Sequence, residues 1–72
     1  MANIVAYDEG KYLRLVRLSR FMRQIDLSLK TDISPSRISL YERGLIQLHE
    51  HEIERILGAL GLRRDTSQPA NR

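Results

Sequence analysis

A chain of 72 residues with a net charge of +3 and no cysteine has room for one small domain and excludes a disulfide framework or a thiolate metal site. Its two histidines, His49 and His51, are too few to hold a metal between them, and no apolar run approaches the ~20 residues of a membrane span. The expectation is a soluble protein of the reducing cytoplasm, with no metal, no cofactor and no membrane partner.

Residues 1–7 show no periodicity and read as an N-terminal arm, followed by one domain over residues 8–62 and a flexible tail over residues 63–72. Asp8 can cap a first helix of residues 9–20, with Tyr12, Val16 and either Leu13 or Ser19 as its inward stripe and Lys11, Arg14 and Arg20 outside it. A second helix runs from Gln24 to Lys30 or Thr31, with Leu27 and Thr31 on one face, and Asp32-Ile33 turns the chain into a third. Ser34 suits the cap of that helix, Pro35 suits its first position, where no backbone donor is needed, and Gly44 supplies a left-handed stop. Leu45–His49 is apolar but short. Glu50–Leu60 forms a last helix ended by Gly61, with Ile53, Ile56, Leu57 and Leu60 as its stripe. The expected core gathers Leu27, Ile33, Ile38, Ile53, Ile56 and Leu60, giving an all-α bundle of four to five short helices.

The third helix carries the functional signal. At about 100° per residue, Ile38, Tyr41 and Glu42 fall on one side and Ser36, Ser39, Leu40 and Arg43 on the other. A solvated face usually bears long charged side chains. This one is small and polar with arginine at its edges, which suits close approach to the DNA major groove, where hydroxyls, arginine and an apolar contact to thymine methyls all find partners. The charge distribution points the same way: residues 11–43 hold eight basic positions against three acidic, whereas residues 44–62 hold Glu50, Glu52 and Glu54 against Arg55.

Arg17, Met22-Arg23-Gln24, Leu27-Ser28, Ile33-Ser34-Pro35-Ser36, Ile38-Ser39 and Glu42-Arg43-Gly44 together resemble the helix-turn-helix domain of the phage-repressor and Cro family over residues 11–62. The resemblance implies a lambda-repressor-like bundle in which helices two and three form the DNA-binding unit. It implies that Gln24 touches a phosphate and braces the recognition helix, that Pro35, Ser36 and Leu40 face base edges, and that Arg37, Ser39 and Arg43 lie near the DNA backbone or groove rim. For Pro35 and Ser34, simple capping is the competing role. Arg17 and Glu42 are implied to form an internal ion pair, as an inward carboxylate requires. Four positions depart from the family pattern: Ser28 replaces a small alanine, Asp32 a turn glycine, Arg23 a hydroxyl cap, and Leu40 a polar base-reader.

No glycine-rich phosphate loop, paired nucleophile and base, or carboxylate pair suggests catalysis. The expected function is therefore sequence-specific binding of double-stranded DNA by a small transcriptional regulator, a repressor. The alternative is a protein-interaction module, an antitoxin or anti-repressor, that uses Leu40, Leu45, Ile46 and Leu48 against a partner protein. Because one nine-residue helix reads only a few base pairs, the expected DNA-bound form is a homodimer on an inverted-repeat operator, possibly assembled only there. Its expected contact surface is Leu45, Ile46 and Leu48 with Leu57, Leu60 and Leu62.

Overall fold

The structure, a computed structural model, describes residues 5–62. The expected tail from residue 63 and the first four residues of the expected arm lie outside the described residues. Four helices and no strand occur among the described residues: α1 (Val5–Ser19), α2 (Gln24–Thr31), α3 (Pro35–Glu42) and α4 (Glu50–Ala59). The first begins four residues ahead of the expected start, so the arm overlaps it and Asp8 lies within a helix rather than at its cap. No proline or glycine interrupts Val5–Glu9, and a nucleated helix propagates through such a stretch.

Each helix stops at a residue with positive φ: Phe21 after α1, Asp32 after α2, Gly44 after α3 and Gly61 after α4. After α3 the Leu45 N–H reaches the Leu40 carbonyl at 2.9 Å and the Gly44 N–H reaches that of Tyr41 at 3.0 Å; Leu62 and Gly61 repeat the pattern on Leu57 and Gly58 after α4. These bonds satisfy carbonyls that a helix end otherwise leaves open. At the other end of α3, Ser34 Oγ accepts the Arg37 N–H at 3.3 Å and Pro35 occupies the first turn.

α1 packs on α3, and α2 packs on both α3 and α4. The six expected core residues are all buried, together with Leu13, Tyr41, Leu48 and Leu57. Tyr12 is not inward as expected. It is 57% exposed, and the buried face of α1 is instead Gly10, Leu13 and Arg17, one residue further round the helix. The expected dimer surface also needs correction. Leu48, Leu57 and Leu60 belong to the core and Ile46 and Leu62 pack against it, leaving Leu45 as the exposed member. A domain this small buries nearly every apolar side chain it can. The same burial removes Leu48 from the surface that the protein-interaction alternative requires.

Gly10 explains how α1 comes so close to the end of α3. A Cβ built there would lie 2.1 Å from the Tyr41 carbonyl oxygen, a backbone atom with no side-chain freedom to move aside. Helix propensity alone says that Gly10→Ala should stabilise α1 by about 1 kcal/mol. Overpacking opposes it at a typical 1–3 kcal/mol, and a contact this short decides the sign. Thermal melting of Gly10→Ala is expected to show a lower midpoint than the parent chain.

Candidate nucleic-acid interface

The α2–turn–α3 unit is held from behind by one buried polar cluster. Arg17 Nε donates to Glu42 Oε2 at 2.7 Å and Nη2 donates to Oε1 at 2.9 Å, while Nη1 donates to the Met22 carbonyl at 2.7 Å. Gln24 Nε2 supplies a third N–H to the carboxylate, on Oε1 at 2.9 Å. The ion-pair side chains are 6% and 3% exposed. Thus the end of α1, the first residue of α2 and the last residue of α3 meet at one point, and the implied Arg17–Glu42 pair is present. Gln24 braces the third helix through Glu42.

The turn itself is tied by α4. Arg55 Nη1 donates to the Thr31 carbonyl at 2.8 Å, closing the end of α2, while Thr31 Oγ1 donates back to the Leu27 carbonyl at 2.8 Å. Asp32 adopts φ 63°, the left-handed conformation that the usual glycine would take, and its N–H bonds to the Ser28 carbonyl at 2.8 Å. Arg23, which lacks a capping hydroxyl, is served by Asp26 instead: that carboxylate accepts the Arg23 N–H at 2.9 Å and both Nε and Nη2 of its guanidinium at 3.0 Å. The guanidinium bonds, then the backbone bond, hold the Asp26 carboxyl down at about 2.

On α3 the inward residues are Ile38, Tyr41 and Glu42, all buried. Ser34, Pro35, Ser36 and Arg43 are exposed, whereas Arg37, Ser39 and Leu40 are half-buried. The helical-face expectation therefore matches the burial pattern, although Leu40 offers only part of its side chain outward. Arg37 behaves differently from the rest. Both Nη atoms of its guanidinium donate to Glu52, with Nη2 at 3.2 Å from Oε1, so α3 is clamped to the start of α4. Arg37, followed by the His49 N–H at 2.9 Å, holds the Glu52 carboxyl below the ordinary glutamate range.

This clamp was not legible in the sequence, nor was the bond from Arg20 Nε to the Leu60 carbonyl at 2.7 Å. The available signal was weak: Glu52 stands three residues after His49, the spacing of a carboxylate that reaches back over a helix start. Consequently the count of basic residues in 11–43 overstates the cationic surface. Arg17, Arg20, Arg23 and Arg37 all hold internal partners, while Lys11, Arg14, Lys30 and Arg43 stand exposed. His49 and His51 are exposed and stack with ring centroids 5.6 Å apart. Among the described residues no cluster of His, Cys, Asp or Glu could hold a metal, and no helix is long and apolar enough to cross a membrane.

A helix-turn-helix family model matches residues 13–66, which takes in the last two turns of α1, all of α2, the turn, α3 and α4. No curated protein and no solved structure matches the chain.

The Glu42 carboxylate sits at the last residue of α3, where the helix dipole is negative, and inside the protein; both disfavour it without Arg17. Glu42→Ala leaves the Arg17 charge buried and unpaired and is expected to destabilise by about 3–5 kcal/mol. The double variant Arg17→Met with Glu42→Leu should melt well above either single one, because no uncompensated charge is left inside. Denaturant unfolding of the three variants checks both statements.

Proposed function

Because the chain belongs to the Cro/XRE-like helix-turn-helix family of DNA-binding transcription regulators, we propose that it is a cytoplasmic repressor that reads one double-stranded operator sequence with α3. The observation that carries this reading is the division of α3 into a buried side of Ile38, Tyr41 and Glu42 and an outward side of small or cationic residues. Ser36 and Leu40 make the base-edge contacts, a hydroxyl bond and an apolar contact suited to a thymine methyl. Pro35 adds van der Waals contact beside its role at the helix start. Ser39 and Arg43 lie at the groove rim, and the exposed end of Gln24 and part of Arg37 face the DNA backbone. Repression follows from occupancy: a regulator on its operator excludes other proteins from the same stretch of duplex.

Selection of binding sites from random duplex DNA tests the proposal and identifies the operator in one experiment. Ser36→Ala and Leu40→Ala should change the preferred base at one or two positions by about 1–3 kcal/mol each. Arg43→Ala should weaken selected and random DNA together and reduce the slope of log affinity on log salt by about one. Arg37→Ala should also lower the melting temperature, since it releases Glu52. An unchanged selected site with both Ser36→Ala and Leu40→Ala would place the reading face elsewhere.

A single short helix distinguishes too few base pairs to find one site in a genome, so the proposal includes a two-fold pair of chains on an inverted repeat, with half-sites about 34 Å apart. Gel-shift titration should show the whole selected site filled cooperatively and the isolated half-site bound much more weakly. Equal affinity for both would leave a monomeric reader.

A further inference from the structure

The apolar surface lies at the opposite end of the domain sequence from where a dimer contact was expected. Among the described residues, Leu45 is the one large exposed apolar side chain beyond α2; Tyr12, Leu15, Leu18, Phe21, Ile25 and Leu29 all belong to α1, α2 or the turn between them. Phe21 is the most unusual. It takes φ 57°, a conformation that costs a residue with a Cβ about 1–2 kcal/mol, yet its ring is 93% exposed and gains no packing within the domain. Beside it a groove of about 400 Å³ runs along α2, lined by Arg20, Phe21, Met22, Asp26, Leu29 and Lys30.

We propose that this face of α2 is where two copies of the chain pair, antiparallel, on DNA. The argument for a second copy, rather than another protein, is that the face complements itself. Ile25 and Leu29 stand four residues apart on its crest, and Asp26 and Lys30 stand four apart along one flank, with opposite charges. In an antiparallel pair whose two-fold axis passes near residues 27 and 28, Ile25 meets Leu29 of the second copy while Asp26 meets its Lys30, and each contact occurs twice. Met22, Ile25, Asp26 and Leu29 have the spacing of a hole that accepts one side chain from a facing helix, and Leu29, 79% exposed, is the side chain that fills it. None of these residues is on α3, so the reading face stays open. A stripe this short buries much less than the ~800 Å² per partner of a stable complex, which is why pairing completes on the operator rather than in free solution.

This inference rests on the two-fold reading above, and the test separates the two. Gel-shift titrations on a selected whole site and its isolated half would compare the parent chain with Leu29→Glu and Lys30→Glu, melting curves confirming that these surface variants fold. Both variants are expected to keep half-site affinity within about twofold, lose about tenfold on the whole site and fill it without cooperativity. Variants that fill the whole site as cooperatively as the parent would overturn this surface but leave the two-fold reading standing. A parent chain that fills halves independently would overturn both, and equal losses on half and whole sites would assign Leu29 and Lys30 to DNA contact instead. For the register, Ile25→Cys chains mixed with Leu29→Cys chains on whole-site DNA should, on mild oxidation, cross-link to each other in preference to themselves; preferential self-linkage would overturn the antiparallel arrangement.

Discussion

Everything in the DNA-reading unit depends on a buried carboxylate that has to be satisfied. Glu42 accepts three N–H bonds, two from Arg17 and one from Gln24, and Arg17 uses its remaining inward donor on the Met22 carbonyl. The planar fork of arginine matches both carboxylate oxygens at once, which a lysine could not do. Such a pair adds little net stability, because desolvation of two charges offsets most of their attraction. Its value is geometric: it is satisfied in one arrangement of α1, α2 and α3, so a slipped or rotated α3 would strand a charge in the core. The outward direction of Ser36, Ser39 and Arg43 is thereby fixed before any DNA arrives, and a recognition helix that is already positioned loses less entropy on binding.

Arginine performs most of the other joints as well. Arg55 closes the end of α2, Arg20 reaches the Leu60 carbonyl near the end of α4, and Arg37 clamps α3 to Glu52. In a domain too small for a large core, side chains that carry several donors on a long stem can satisfy carbonyls and carboxylates that would otherwise be left without partners. The electrostatic consequence is that these guanidinium groups have carboxylates or carbonyls beside them. Salt dependence of DNA binding follows the phosphates neutralised, not the number of arginines in the chain.

The apolar residues divide by a similar logic. The segment after Gly44 looked rich enough in leucine and isoleucine to supply both a core and an interface, but Leu48, Leu57 and Leu60 are all drawn inward. What remains outside is the stripe on α1 and α2, where the inward face is already filled by Leu13, Arg17, Leu27 and Thr31. Isolated exposed leucines are ordinary on a protein surface. A contiguous run that ends in a phenylalanine held in a left-handed turn is less so, since its conformational cost has no return inside the domain.

Local chemistry was enough to place the ends of α2, α3 and α4. Ser34 with Pro35 starts a helix and Gly44 and Gly61 stop one for reasons confined to a few neighbouring residues, and the faces of α3 and α4 follow from the 3.6-residue period alone. The membership of Leu27, Ile33, Ile38, Ile53, Ile56 and Leu60 in the core follows from the same periodicity. Only packing decided the rest. Which side of α1 turns inward was ambiguous between Tyr12 and Leu13 until Gly10 met the Tyr41 carbonyl and Arg17 met Glu42. The partner of Arg37 lies fifteen residues away on another helix, and the Leu60 carbonyl that engages Arg20 lies forty away. Such pairings depend on how the helices stack, and periodicity along one chain segment carries no information about which carboxylate or carbonyl a long side chain will reach across the bundle.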